Sequence, residues 1–127
     1  MKILVVDDSR TMRRIIGTAL KGMGYSAASI MEASDGVEAL ANFDSSVDFV
    51  ITDWNMPNMS GLDFVRALRK RDDGGTTPIL MVTTRSVRED IVQAAEAGVN
   101  NYVVKPFTPQ ILREKIDQVM GAGEGVV

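Results

Sequence analysis

Short, unbroken apolar runs alternate along this chain with segments of helical spacing. Residues 2–6 (KILVV) form a continuous apolar run, the mark of a strand buried on both faces. Residues 11–23 then place Met12, Ile15, Ile16, Ala19, Leu20 and Met23 at helical intervals. Ser9 fits the N-cap of that helix and Gly24 its stop, with Arg13 and Arg14 as surface residues. Residues 27–32 (AASIME) give a weaker strand signal. Asp35, with Glu38 three residues on, has the form of a capping box, and Val37, Ala39, Leu40 and Phe43 form the buried side of a short second helix.

The alternation continues. Residues 48–53 (DFVITD) predict a third strand, followed by a loop over 54–60. Ser60 caps a helix reaching Arg71, with Leu62, Phe64, Val65 and Leu68 as its apolar residues. Residues 72–77 (DDGGTT) read as a surface loop. A fourth strand is expected over 78–83, with Pro78 where a missing N–H is tolerated. A helix over 87–97 ends at Gly98, a short strand covers 102–104, and a last helix covers 109–120 with Pro109 at its start. Residues 121–127 (GAGEGVV) read as a frayed tail. Five strand–helix repeats imply one domain over 1–120, an α/β doubly wound parallel sheet with helices on both faces, three layers in all.

Composition narrows the chemistry. The 127 residues include neither Cys nor His. That excludes disulfides, Cys/His zinc sites and imidazole-based catalysis within the chain. A net charge of −3 is a poor balance for nucleic acid. No segment reads as a signal peptide or membrane span, so a cytoplasmic location is expected. The cluster Arg66, Arg69, Lys70 and Arg71 reads as favourable charge at a helix C-terminus. Of the eight Met, Met12, Met23 and Met81 fall on apolar faces, while Met56 and Met59 flank a loop and read as exposed.

In folds of this class, ligands bind at the carboxyl ends of the strands. The residues there are Asp7 and Asp8 after the first strand, Asp53 ending the third, Thr83 and Thr84 at the fourth, and Lys105-Pro106 after the fifth. Taken singly, each has a bland reading: a helix N-terminal acidic pair, a turn residue, a loop lysine. Together, three carboxylates suit a hard divalent cation, a lysine suits a phosphoryl oxygen, and a carboxylate can itself be the nucleophile. These are the parts phosphoryl transfer requires.

The blocks VVDDSRTMRR, ITDWNMPNMSGL, MVTT and YVVKPF, spread in order over about residues 1–120, resemble those of response-regulator receiver domains, the chemotaxis type in particular. The resemblance implies strand order 2-1-3-4-5 and Asp53 as phosphoacceptor. It implies Mg2+ held by Asp8, Asp53 and the backbone carbonyl of Asn55, with Asp7 acting largely through water. Lys105 would bind a phosphoryl oxygen, Thr83 would move to bond another, and Tyr102 would turn into the space vacated; the Lys105–Pro106 bond would be cis. The donor would be a phosphohistidine on a histidine kinase, and a dedicated phosphatase is a further candidate partner. The output face would be the fourth helix, fifth strand and fifth helix, with Ser86, Ile91, Tyr102 and Lys115 as contacts; for Ile91 a plain core position is equally open. The expected target is the flagellar motor switch, bound by a monomer. A phosphorelay intermediate is the alternative. Close relatives often carry a small or acidic residue where this chain has Arg85; with Asn55 it flanks the route of an attacking water, so both are expected to tune the lifetime of the phosphorylated form.

Two other classes fit the topology less well. Asp7-Asp8 would repel the phosphate of a flavin. A stand-alone phosphatase with an aspartate nucleophile would turn over phosphate esters repeatedly rather than become labelled once per cycle.

Overall fold

The computed structural model describes residues 1–121. In chain order the elements are β1 (Ile3–Val6), α1 (Arg10–Gly22), a 3-10 turn (Ala27–Ser29), β2 (Ile30–Ala33), α2 (Gly36–Asn42), β3 (Phe49–Thr52), α3 (Gly61–Lys70), β4 (Ile79–Thr83), α4 (Arg88–Ala97), β5 (Asn101–Val104) and α5 (Pro109–Gly121). The strands form one parallel sheet in the order β2-β1-β3-β4-β5. This is the doubly wound architecture expected from the alternation.

Strand side chains divide between two cores. Ile3, Val5, Phe49, Ile51, Leu80 and Val82 pack against Ile16 and Leu20 of α1 and Leu112, Ile116 and Val119 of α5. Leu4, Val6, Val50, Ile79 and Met81 face the other way, onto Ala39 of α2, Leu62, Phe64, Val65 and Leu68 of α3, and Ala94 of α4. The period-2 alternation of a strand buries both faces, which is why the strands read as unbroken apolar runs. Among the described residues no helix is long and apolar enough to cross a membrane.

Helix starts follow the capping signals. Ser9, Asp35 and Ser60 each accept a hydrogen bond from a backbone N–H three residues on, at 3.1, 2.8 and 3.1 Å. The Glu38 carboxylate reaches past the cap, accepting from the N–H and hydroxyl of Ser34 at 3.3 and 2.8 Å. Gly98 closes α4 at φ 112°, a conformation that favours glycine.

β2 begins at Ile30 rather than residue 27, because Ala27–Ser29 turn tightly and the N–H of Ile30 bonds back to Ala27. Val37 on α2 and Ile15 on α1 are exposed, at the edges of their apolar stripes. Met56 and Met59 are half-buried against the core instead of exposed, while Met12 and Met23 pack at its border and Met81 is fully buried. Gly121 is the last residue of α5 and not the first of a tail; the remainder of 121–127 lies outside the described residues. The basic cluster also does more than complement a helix end. Arg69 donates to the carbonyls of Gly98 and Gly74, and Arg71 to those of Leu40 and Phe43, so two guanidiniums fasten α3 to neighbouring loops.

Candidate functional site

The sheet ladder continues one residue beyond three strand ends, and each of those residues is charged. Asp7 N–H donates to the Ala33 carbonyl at 3.1 Å, Asp53 N–H to Val6 at 2.9 Å, and Lys105 N–H to Thr83 at 2.8 Å. The backbones of Asp7, Asp53 and Lys105 are thus held by rigid neighbours, and their side chains meet. Lys105 Nζ lies 2.9 Å from Asp7 Oδ2 and 3.1 Å from Asp53 Oδ2. One carboxylate oxygen from each of Asp7, Asp8 and Asp53 lies within 4.8 Å of the others. Asp7 and Asp53 are buried, while Asp8 is exposed at the rim.

Burial pushes the Asp7 carboxyl above its ordinary range, and the N–H of Ser9 and the Lys105 ammonium only partly offset it. Burial works to lower Lys105, but its bond to Asp7 and the Asp53 charge prevail and raise it, so the ammonium stays charged. The three carboxylate oxygens of Asp7, Asp8 and Asp53 are a donor set that fits a hard divalent cation, and the Lys105 ammonium, which has no lone pair, stands beside that set and not in it.

The loop after β3 is braced on both sides. Trp54 N–H donates to Asp53 Oδ1 at 2.6 Å, and Asn58, at φ 67°, donates through its side chain to the Asp35 carboxylate at 2.7 Å. Gly61 N–H bonds to the Trp54 carbonyl at 2.7 Å. A Cβ on Gly61 would overlap the Asp53 carbonyl, so only glycine lets α3 start this close to the acidic site. Nothing in the sequence marks this role of Gly61, because a glycine opening a helix carries no local signal of what lies against it.

Thr83 is fully buried and Thr84 exposed, so the two hydroxyls do not act as a pair. Thr83 Oγ1 accepts from Arg85 N–H at 3.3 Å and makes no hydrogen bond to the carboxylates. The Lys105–Pro106 bond is cis, as expected.

A family model described as "Response regulator receiver domain" matches residues 3–117. The chain belongs to the response-regulator receiver family. This receiver is 49% identical over 126 residues to Chemotaxis protein CheY1 of Helicobacter pylori, covering 98% of this chain and 100% of that one. It is 51% identical over 120 residues to Chemotaxis protein CheY of Pseudomonas aeruginosa, covering 94% and 95%. Among solved structures it is similar to the chemotaxis response regulator CheY4 of Vibrio cholerae, with TM-score 0.83, 37% identity, and coverage of 93% of this chain and 97% of that one.

Around the acidic centre of this receiver, Arg85 binds several groups at once. Its guanidinium donates to Asn55 Oδ1 from two nitrogens, at 3.1 and 2.9 Å, and lies 4.4 Å from the centroid of the Trp54 ring. It also pairs with Asp90 at 3.6 Å. The Arg85 carbonyl accepts from the Tyr102 hydroxyl at 2.8 Å. Burial, reinforced by the charge of Asp90, pushes the Tyr102 phenol up to about 12. Trp54 itself is buried.

The remaining residues of the expected output face are scattered in exposure. Ser86 is exposed and Lys115 half-buried. Ile91 is 38% exposed and Val92 45%, so neither is the inward residue of α4; that role falls to Ala94. Ile91 and Tyr102 line a shallow pocket of about 200 Å³ between α4 and β5, together with Ala94 and Val99.

Proposed function

We propose that this receiver, a single unit over residues 1–120, is a chemotaxis response regulator. In this reading Asp53 takes a phosphoryl group from a histidine kinase in a Mg2+-dependent reaction in the cytoplasm. The observation that carries the reading is the contact of one ammonium, Lys105 Nζ, with the carboxylates of both Asp7 and Asp53 inside a three-carboxylate cluster.

The donor set fits Mg2+: Asp8 and Asp53 would hold it with the backbone carbonyl of Asn55, Asp7 assisting through water. When bound, it supplies charge neutralisation at the phosphoryl oxygens. An Asp53 carboxylate oxygen attacks phosphorus; the P–N bond to the donor imidazole breaks, and the imidazole leaves with the electron pair. The product is an acyl phosphate on Asp53. Lys105, already charged beside Asp53, pairs with a phosphoryl oxygen. Thr83 Oγ1 turns from Arg85 N–H to a second oxygen, and the Tyr102 ring follows it inward. Phosphorylation adds about 1.5 to 2 negative charges, enough to bias two discrete side-chain arrangements.

That change is read at α4, β5 and α5, where Ser86, Ile91, Tyr102 and Lys115 meet a flagellar motor switch protein, with the receiver acting as a monomer. The relatives named for chemotaxis support this target. The test is transfer from a phosphohistidine-labelled kinase, with and without a chelator, followed by capture on the motor switch protein. Label should pass only with Mg2+, and capture should increase with phosphorylation. Equal capture of both forms would contradict the switch.

A further inference from the structure

The face of α1 that borders the open edge of the sheet carries a positively charged furrow for which phosphoryl transfer has no use. Helix α1 holds Arg10, Arg13, Arg14 and Lys21 and no acidic residue, in a chain whose net charge is −3. Arg10, Arg14, Gly17 and Lys21 follow one another at i, i+4, i+7 and i+11, a single stripe of the helix. Over eleven residues it runs about 16 Å. Beside it is a cavity of about 270 Å³, lined by that stripe with Arg13, Ile30 and Glu32. Among the described residues, Arg10, Arg14 and Lys21 have no ion-pair partner; Arg13 pairs with Glu32 at 2.8 Å.

Gly17 makes the furrow. It sits mid-helix, where glycine costs stability relative to alanine. Nothing requires it there, because a Cβ would meet no atom within 4 Å. The space it leaves is therefore open to a ligand.

The other wall is a free strand edge. Among the described residues β2 pairs only with β1. The Ala33 carbonyl points to β1, accepting from Asp7, so by alternation the backbone of Glu32 points outward. An unpaired edge accepts an extended chain through main-chain hydrogen bonds. The length of the stripe matches about five extended residues, more than one phosphate needs.

We propose that the α1–β2 furrow binds an extended acidic peptide segment of a partner protein. Its main chain adds to the β2 edge at Glu32, and its carboxylates meet Arg10, Arg14 and Lys21. This site adjoins the carboxylate cluster, because Arg13 on its wall donates to the Asp7 carbonyl at 2.6 Å, but Arg10, Arg14 and Lys21 themselves belong to no part of the phosphoryl-transfer machinery.

The probe is a fluorescein-labelled peptide of alternating Val and Glu, with a Val–Lys peptide as control, followed by fluorescence anisotropy in low salt. The acidic peptide should bind saturably and more weakly as salt rises, and the basic one should not bind. The Arg10→Glu/Arg14→Glu protein should bind about tenfold more weakly or worse. Gly17→Leu, which fills the cavity and leaves every charge in place, should also lose affinity. Glu32→Pro removes an outward N–H from the edge together with the carboxylate that pairs with Arg13, and should weaken binding where Glu32→Gln, which removes the charge and keeps the N–H, does not. Circular dichroism checks that each variant is folded. Absence of binding by the acidic peptide, equal binding by the charge-reversed or Gly17→Leu protein, or complete displacement by micromolar pyrophosphate would overturn the proposal, the last by marking a small-anion pocket.

Discussion

Arg85 and Asn55, thirty positions apart, are joined by two hydrogen bonds to one amide oxygen, at 3.1 and 2.9 Å. The two residues follow β4 and β3, so the contact ties together two loops at the carboxyl end of the sheet. Trp54 lies beneath the guanidinium at 4.4 Å.

Removing this bridge would untie the loops that follow β3 and β4 and withdraw a positive charge from the end of the sheet at which we propose an acyl phosphate. Losing hydrogen bonds worth about 1 kcal/mol converts to a rate change of several-fold. Phosphorylated Arg85→Ala should therefore lose its phosphoryl group roughly 3- to 10-fold faster than wild type. Following the decay of both proteins checks this, and identical rates would remove Arg85 from any role in lifetime. Trp54 fluorescence should change in the same variant, because the stacked cation is gone.

Lys105 is the cation that makes three clustered carboxylates tolerable in the absence of metal. In Lys105→Met the oxygens of Asp7, Asp8 and Asp53 face one another unneutralised. Without divalent cation the variant should be less stable than wild type by about 1–3 kcal/mol. Added Mg2+ should restore more stability to the variant than to wild type, because binding to the folded state alone stabilises it. Urea denaturation of both proteins, with chelator and with Mg2+, reads both effects. Phosphorylation of the variant should be slower by at least about tenfold at saturating Mg2+.

Arg71 serves the fold rather than the site. It donates to the carbonyls of Leu40 and Phe43 and pairs with Asp73 at 2.8 Å, while its guanidinium lies 5.4 Å from the Phe43 ring. Arg71→Ala leaves two carbonyls short of a donor and should cost about 1–2 kcal/mol. Arg66 makes one exposed pair with Asp63, at 3.4 Å, so Arg66→Ala should stay within about 0.5 kcal/mol of wild type. The midpoints of urea unfolding distinguish the two.

Tyr102 predicts an alkaline limit. Its phenol is pushed up to about 12, by burial first and the Asp90 charge second. The folded state thus holds a proton that the unfolded chain releases near pH 10. Stability from this residue is complete below about pH 10 and declines as pH rises toward 12. Ultraviolet absorbance titration should show a late tyrosine step that disappears in Tyr102→Phe and moves to lower pH in Asp90→Asn.

Strand order aside, the architecture is legible in the residues, because each strand buried on both faces reads as an unbroken run and the starts of α1, α2 and α3 carry their own caps; α4, led by Val87, has no side-chain cap. Ser9, Asp35 and Ser60 sit where such caps were expected, and the convergence of Asp7, Asp8, Asp53 and Lys105 follows from their places after strand ends. Less legible was whatever depends on tertiary neighbours. AASIME has apolar residues on both sides of a turn, so the start of β2 waited on the bond from Ile30 to Ala27. Val37 and Val92 have the same character as their buried neighbours and differ only in which way the helix turns them. The Arg85–Asn55 bridge and the closeness of Gly61 to Asp53 join segments distant in sequence, and neither residue type announces its partner.

If the chain carries its own phosphoryl-transfer chemistry, Asp53 becomes covalently phosphorylated by a small donor without a kinase. Incubation with Mg2+ and acetyl phosphate followed by intact-mass measurement reads this. Wild type should gain a single phosphoryl group, and Asp53→Asn or a chelator should abolish the gain. Wild type that binds Mg2+ yet gains no mass, or Asp53→Asn that gains as much as wild type, would contradict the account.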